Sequence, residues 1–517
     1  MNLVVPATMR EMDRRTIEDI GVPGAVLMDR AAGGAVDALI DYFSPAAGTS
    51  IGLICGTGNN GGDGLAMATM LANAGYKPHV VVLGERDKLS DDAGLYFDIA
   101  AQSMDNLDIA GDEEALEKWL QAVPHCQIWC DALLGTGLDR PVKGRYAKAI
   151  EFLNNQSAPV MAVDIPSGLD GHTGQVWGVA TDAELTATFG FAKVGQCLDP
   201  ARRLCGRLVT VDIGIPNLVC DQVGFDAIGL NRSWLARHLP TRPLDMHKGR
   251  AGKTLHIGGR PTTAGAIALS ARGALVAGAG LITVATDRRS HTMIPTMTPE
   301  IMASGCFDFS AQTIDDDAFE PLLDRADTVI IGPGLGTDVT GQRIFRKVLA
   351  AEVDNLVVDA DALNLAANHD DIANKLAETD ASVVLTPHPG EMARLQQTDI
   401  ADVLADPISA AKKLADTFGC VAVLKTAATV VADTEGRLAI NRTGNQGMAT
   451  GGMGDVLTGL IGAAFADFKD DAFCAACCGV VVHGLAGDGA ADHTGFRGLT
   501  VSRLLDEVPA IWQSLSR

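Results

Sequence analysis

Apolar positions along the chain fall into two alternating patterns. Short unbroken runs predict strands, and longer stretches with apolar residues every three or four positions predict helices. Residues 1–45 carry the helical spacing: Met9, Met12, Ile17, Val26, Leu27 and Met28 are apolar, with Arg10, Glu11, Asp13, Arg14 and Arg15 between them. Ser50–Cys55 is a compact apolar strand that runs into the glycine-rich residues 56–64; residues 65–74 continue as a helix, and 79–83 form the next strand. Strand, glycine-rich turn, helix and strand predict a right-handed βαβ unit with a ligand loop at the carboxyl end of its first strand. The pattern recurs at 127–131, which leads into 132–141, and at 159–164, which leads into 165–170. Three strand ends thus carry loops rich in Gly, Asp and Ser, and in an open parallel sheet such ends converge on one crevice.

After residues 206–216 the alternation lapses, and Pro240 and Pro243 break the run 239–244. This predicts two domains, 1–222 and 223–517, as expected for a chain too long for one ordinary core. A second α/β domain begins at 253–258, with strand cores at 281–286, 328–331, 355–359, 382–386 and 421–425. Five or six strands between helical segments make a second layered sheet, with no fixed-period repeat. The composition fits, because 57 glycines and 5% aromatics suit close packing of helices on sheets.

A net charge of −23 argues against nucleic acid and anionic membranes as partners. The N-terminus lacks a signal-peptide pattern and no window approaches twenty uninterrupted apolar residues, so a cytoplasmic location is expected. The 11 cysteines lack zinc-ligand spacing, and small buried hydrophobes are their expected role.

The chemistry concentrates at the loops. Asn445 to Gly459 is a glycine-rich run that ends in one carboxylate, Asp455, before turning apolar. Glycines bare backbone N–H groups to a phosphate, and a helix that starts here adds its dipole. Asp455 would repel that phosphate, which suggests a base or a metal handler; the alternative is an N-cap on an ordinary turn. In the first domain, residues 56–64 differ from a dinucleotide fingerprint by their paired amides and carboxylate. Asn59 and Asn60 suit a sugar, an amide or a hard cation, and an oxygen-ligated ion shared by Asn60, Asp131 and Ser167 is chemically reasonable; satisfied turns are the alternative. In the second domain, residues 331–336, 386–391 with His388 between two prolines, and Lys425 with Thr426 and Thr429 follow successive strands. No Walker sequence is present, so a phosphoryl-transfer site must be assembled from these loops.

These residues carry a resemblance. Gly452-Met-Gly-Asp455, with His247 to Gly252, Gly332 to Gly336 and Thr386 to Glu391, resembles the ADP-dependent NAD(P)H-hydrate dehydratases of the ribokinase-type superfamily. Gly58 to Gly64, Asp131 to Pro141 and Val163 to Asp170 resemble the NAD(P)H-hydrate epimerases, and the fusion is similar to the bifunctional NAD(P)H-hydrate repair enzymes. The resemblance implies a Rossmann-like three-layer domain followed by a ribokinase-like domain. It implies that Asn59, Asn60, Gly61, Gly62 and Asp63, with Gly135, Thr136, Gly137, Leu138, Asp139, Arg140 and Pro141, hold a hydrate beside a catalytic Asp164. Asn60, Asp131 and Ser167 would bind potassium, and Lys193 is a further candidate, with a plain surface lysine as its alternative. In the second domain, Ala266, Gly334, His388 and the catalytic Asp455 would hold the hydrate. Lys425, Thr426, Ala427, Ala428, Thr429 and Gly454 would hold ADP, with magnesium. Neighbouring N–H donors would keep Asp455 ionised. NADHX and NADPHX are the implied substrates, and a homo-oligomer is expected. The rival reading is a vitamin-precursor kinase with a passive N-terminal binding domain.

Overall fold

A computed structural model describes residues 1–469 and 471–515, which separate into two units, Asn2–Ala227 and a second that begins at Ile228. In the first unit, helices Pro6–Glu18 and Gly24–Phe43 precede a seven-stranded sheet. Its order is Leu107–Ile109, Lys77–Val82, Ser50–Cys55, Ile128–Ala132, Val160–Val163, Leu185–Phe189 and Arg207–Val211, parallel throughout. Alternate residues of a strand face opposite sides. Accordingly Leu53 and Cys55 join one core with Leu65, Met67 and Val80, while Ile54 joins another with Val81, Trp129 and Ile150. Strand order reverses at Ser50–Cys55, and such a switch point opens a crevice at the carboxyl ends.

The helix after this strand starts at Asn59, inside the segment expected to be a loop, and runs to Asn73. Glycine's weak helix propensity hides it in the sequence. A Cβ at Gly61 would lie 2.0 Å from the Gly56 carbonyl oxygen, and one at Gly64 2.5 Å from Ala132 Cβ. The glycines therefore let the helix run close against the sheet. Leu185–Phe189 was hidden for the opposite reason: Thr186 and Thr188 are fully buried and interrupt the apolar run. Asn2–Val4 is a further short strand where helix was expected, paired with Ala192–Lys193.

In the second unit the strand order is Thr313–Ile314, Met302–Asp308, Leu281–Asp287, Lys253–Ile257, Thr328–Ile331, Asn355–Val358, Ser382–Leu385, Val421–Leu424, Val430–Ala432, Leu438–Asn441 and Ala227–Leu230. The strands from Met302–Asp308 through Val421–Leu424 are parallel. Thr313–Ile314 and Val430–Ala432 pair antiparallel with their neighbours. The sheet is wider than the five or six strands expected, because short edge strands and polar starts such as Met302–Asp308 lack an apolar run. Helices Met453–Phe468 and Ala472–Gly498 cover one face, where Leu460, Ile461 and Phe465 pack with Ile330, Val357 and Val384. Ala472–Gly498 is long and apolar enough to cross a membrane, and 67% of its apolar window is buried inside this unit. Its Cys477 and Cys478 are buried there.

Candidate active sites

A cavity of about 800 Å³ lies in the first unit, lined by the loops that follow Ser50–Cys55, Ile128–Ala132 and Val160–Val163. Of the residues singled out in the sequence, Asn59, Asn60, Asp63, Gly135 to Pro141, Asp164 and Lys193 line it. Gly61 and Gly62 do not: they pack against Gly56 and Met28. Arg140 and Asp139 are exposed.

Lys193 is not a surface lysine. It is 1% exposed, and its Nζ lies 2.5 Å from Asp164 Oδ1, 3.0 Å from Thr188 Oγ1 and 3.1 Å from the Phe189 carbonyl oxygen. Asp164 adopts the left-handed φ of 63°, costly for a residue with a Cβ. Gln196 Nε2 donates to its carbonyl at 2.7 Å, and the Phe189 N–H donates to its carboxylate. Such strain, held by surrounding bonds, marks sites where one side chain must point one way. Two of the other carboxyls that line the cavity are shifted by their surroundings. Burial pushes Asp63 well above the usual carboxylate range, with Asp164 and Asp13 adding repulsion. Burial likewise pushes Asp13 up to about 6, against the attraction of Lys193, and its buried Oδ1 has no hydrogen-bond partner. Asp13 is inconspicuous in the sequence, because a carboxylate among the charges of an amphipathic helix looks like any solvated residue.

Asp131 and Ser167 lie beneath the wall. Ser167 donates its N–H at 2.8 Å and its hydroxyl at 2.6 Å to Asp131, and Leu134 N–H donates to Ser167 Oγ at 2.9 Å. Asp131 is fully buried, burial raises its carboxyl, and no cation among the described residues pairs with it. Both polar atoms of the Asn60 amide, 8% exposed, also lack a partner. A buried carboxylate without a counter-charge and an orphaned amide oxygen fit an oxygen-ligated cation.

In the second unit the candidates come together at the carboxyl ends of the parallel strands. Asp455 is the third residue of Met453–Phe468, and the N-cap is Gly452 at φ 95°, so the N-cap reading of Asp455 does not hold. The expectation that N–H donors keep Asp455 ionised also fails. Burial, helped by repulsion from Asp359, pushes its carboxyl up to about 7 against the pull of Lys425. Lys425 Nζ pairs with Asp359 Oδ1 at 2.5 Å. Gly454 lies over this pair, where a Cβ would meet Lys425 Nζ at 3.5 Å and Asp359 Oδ2 at 3.9 Å.

His388 caps helix Pro389–Gln396: its Nδ1 accepts from Gly390 and Glu391 N–H, while Glu391 accepts from the His388 N–H at 2.8 Å. Half its side chain stays exposed. Glu391 itself is pushed up to about 7 by burial. Thr263 joins the two small residues: its hydroxyl donates to the Gly334 carbonyl at 3.1 Å, and its own carbonyl accepts from Ala266 N–H. Thr426 and Thr429 turn inward, donating to the Ala428 and Thr426 carbonyls. Asp359, Asp361, which accepts from Gly336 N–H at 2.8 Å, and Glu391 were not singled out. Asp359 carries the same strand-end signal as Asp131 and Asp164, and that signal would have found it.

Two doubly wound α/β units, each with acid-rich loops at the carboxyl ends of a parallel sheet, define a two-domain enzyme of small-molecule chemistry. Residues 24–195 match the family described as YjeF-related protein N-terminus, and residues 254–510 match NAD(P)H-hydrate dehydratase. The bifunctional NAD(P)H-hydrate repair enzyme Nnr of Moorella thermoacetica is 38% identical over 100% of this chain and 97% of its own. That of Escherichia coli is 36% identical over 97% of this chain and 92% of its own. Among solved structures, the ADP/ATP-dependent NAD(P)H-hydrate dehydratase from Bacillus subtilis, co-crystallised with ATP and Mg²⁺, is 26% identical with a TM-score of 0.48, covering 57% of this chain and 100% of that one. The chain belongs to the family of bifunctional NAD(P)H-hydrate repair enzymes. It has an epimerase domain and a dehydratase domain, and the vitamin-kinase alternative is not favoured.

Proposed function

We propose that residues 1–222 interconvert the R and S hydrates of NADH and NADPH, and that residues 223–517 dehydrate the S hydrate while ADP is converted to AMP and phosphate. The observation that carries the second half is Asp455, a carboxyl held near neutrality beside the Lys425–Asp359 pair. A general base works best when its pKa lies near the working pH. Asp455 takes the proton from the ring hydroxyl as that oxygen attacks the terminal phosphorus of ADP. Lys425 and the N–H groups of Gly452 to Gly454 quench the developing charge. The hydroxyl leaves as phosphate, expelled by the ring-nitrogen lone pair, and loss of a ring proton restores the double bond. Ala266, Gly334 and His388 position the hydrate; Lys425 to Thr429 and Gly454 hold the nucleotide.

In the first domain Asn59, Asn60, Asp63 and Gly135 to Pro141 hold the hydrate, and Asp164, steadied by Lys193, stands beside its ring. Asn60, Asp131 and Ser167 hold potassium, supported by the orphaned Asn60 amide and the uncompensated Asp131. Magnesium would accompany the nucleotide phosphates, beside which it commonly needs only one or two carboxylates. A cytoplasmic, homo-oligomeric enzyme belongs to the same reading, and eleven free cysteines suit a reducing compartment.

Asp164→Asn and Asp455→Asn, assayed in parallel, test the division of labour. Asp164→Asn should stop epimer exchange and spare dehydration of the S hydrate, and Asp455→Asn should do the reverse. Dehydration that survives Asp455→Asn contradicts the reading.

A further inference from the structure

Behind the second site, four buried polar side chains stand in single file. Thr254 and His256 lie on strand Lys253–Ile257, Ser270 on helix Ala264–Ala277 and Thr458 on helix Met453–Phe468, none more than 3% exposed. Thr254 Oγ1 is 3.1 Å from His256 Nε2, His256 Nδ1 is 2.9 Å from Ser270 Oγ, and Ser270 Oγ is 3.0 Å from Thr458 Oγ1. The Thr458 hydroxyl donates to the Asp455 carbonyl at 2.7 Å.

Counting donors fixes every direction. A carbonyl only accepts, so the one proton of Thr458 is committed to Asp455. Ser270 must then donate to Thr458 and accept from His256. His256 is therefore the neutral Nδ1–H tautomer, with Nε2 accepting from Thr254. Burial, which pushes His256 down to about 3, agrees with a neutral ring. All four bonds thus point the same way and end on the peptide of Asp455.

The file crosses between two helices where their backbones touch. A Cβ at Gly459 would lie 1.9 Å from the Ser270 carbonyl oxygen, and one at Gly273 2.5 Å from that of Val456. One helix begins at Ala264, close to Ala266; the other begins at Met453, close to Gly454 and Asp455. Apolar side chains of the same size would fill this core without needing four matched partners. The matched file instead sets the register of the two helix starts.

We propose that His256, Ser270 and Thr458 are positioning residues of the dehydratase, fixing the Asp455 peptide relative to helix Ala264–Ala277 so that its carboxylate meets a hydrate held near Ala266. This rests on Asp455 being the base. A small misplacement of a reacting group costs up to a hundredfold in rate while binding is little changed.

The test uses the full-length enzyme with S hydrate and ADP. Thr458→Val keeps the side-chain shape and removes the hydroxyl; Thr458→Ser keeps the hydroxyl and loses the methyl group. The proposal expects Thr458→Val to lower kcat about tenfold or more with the KM for ADP little changed, and Thr458→Ser to restore most of it. A packing role alone predicts the opposite order. Epimer exchange by the same preparations should match the wild type. Normal kcat in Thr458→Val, or an equal loss in Thr458→Ser, overturns the proposal. If Thr458→Val fails to fold, Ser270→Ala breaks the file one link earlier and must show the same kcat loss. Asp455→Asn run alongside separates the failures: if it turns over, the base assignment falls; if it is inactive while Thr458→Val is normal, only the positioning role falls.

Discussion

A base that must ionise in a site that resists its charge costs the fold stability, and Asp455→Asn should recover it. In the folded protein this carboxyl protonates near pH 7 rather than 3.8. Between those values the folded state holds a proton that the unfolded state has lost, so stability falls as pH rises through the window. A shift of this size corresponds to about 4 kcal/mol when the group is fully ionised in the fold, at roughly 1.4 kcal/mol per unit. Asparagine carries no such cost. The stability gap between variant and wild type should therefore widen by about 3 kcal/mol between about pH 5 and about pH 8, which is several degrees in the unfolding temperature of a domain this large. Glu391, pushed up in the same way, is present in both proteins and cancels from the difference. Differential scanning calorimetry of the full chain without ligands measures the gap. A gap that stays constant or narrows toward high pH refutes the electrostatic account of the site.

The other predictions test individual contacts. Lys193→Met leaves Asp164 without its cation, so epimer exchange should be lost with roughly 3 kcal/mol of stability, read by calorimetry; unchanged stability would show that the pair is not needed. Gly454→Ala should fold normally, because its Cβ meets only ordinary contacts, yet the KM for ADP should rise when a methyl group enters the cradle; steady-state kinetics decide. Gly459→Ala forces a Cβ onto the Ser270 carbonyl oxygen and should cost about 3 kcal/mol or more, seen as a lower unfolding temperature with no effect on epimer exchange. Asn60→Leu should abolish any dependence of the epimerase on potassium, tested by replacing it with a larger organic cation; an unchanged potassium response would remove Asn60 from the ion site.

Strand cores and the loops after them were legible because parallel strands covered on both faces carry unbroken apolar runs, as Val160–Val163 and residues 329–331 do. Where a buried strand carries threonines, as Leu185–Phe189 does, or a helix begins on glycines, as at Asn59, local chemistry hides the element and only tertiary packing reveals it. Side-chain pairing was out of reach. Lys193 and Asp164 lie 29 positions apart and Lys425 and Asp359 lie 66 apart, so nothing local in the sequence shows that each lysine is spoken for. The same distance in sequence concealed Asp13, whose carboxyl becomes unusual only when its helix is laid over the cavity. Glycine-rich runs advertised where ligands approach; the buried charges that tune those places had to be read from the fold.

One chain should return both hydrates to the reduced cofactor. The most direct test gives the purified enzyme an equilibrated mixture of R and S hydrates with ADP and follows the return of reduced-nicotinamide absorbance. Recovery of the whole mixture is predicted, falling to the rapid S fraction alone in Asp164→Asn and to nothing in Asp455→Asn. Recovery of only the S fraction by the wild-type enzyme, or none, would contradict the account.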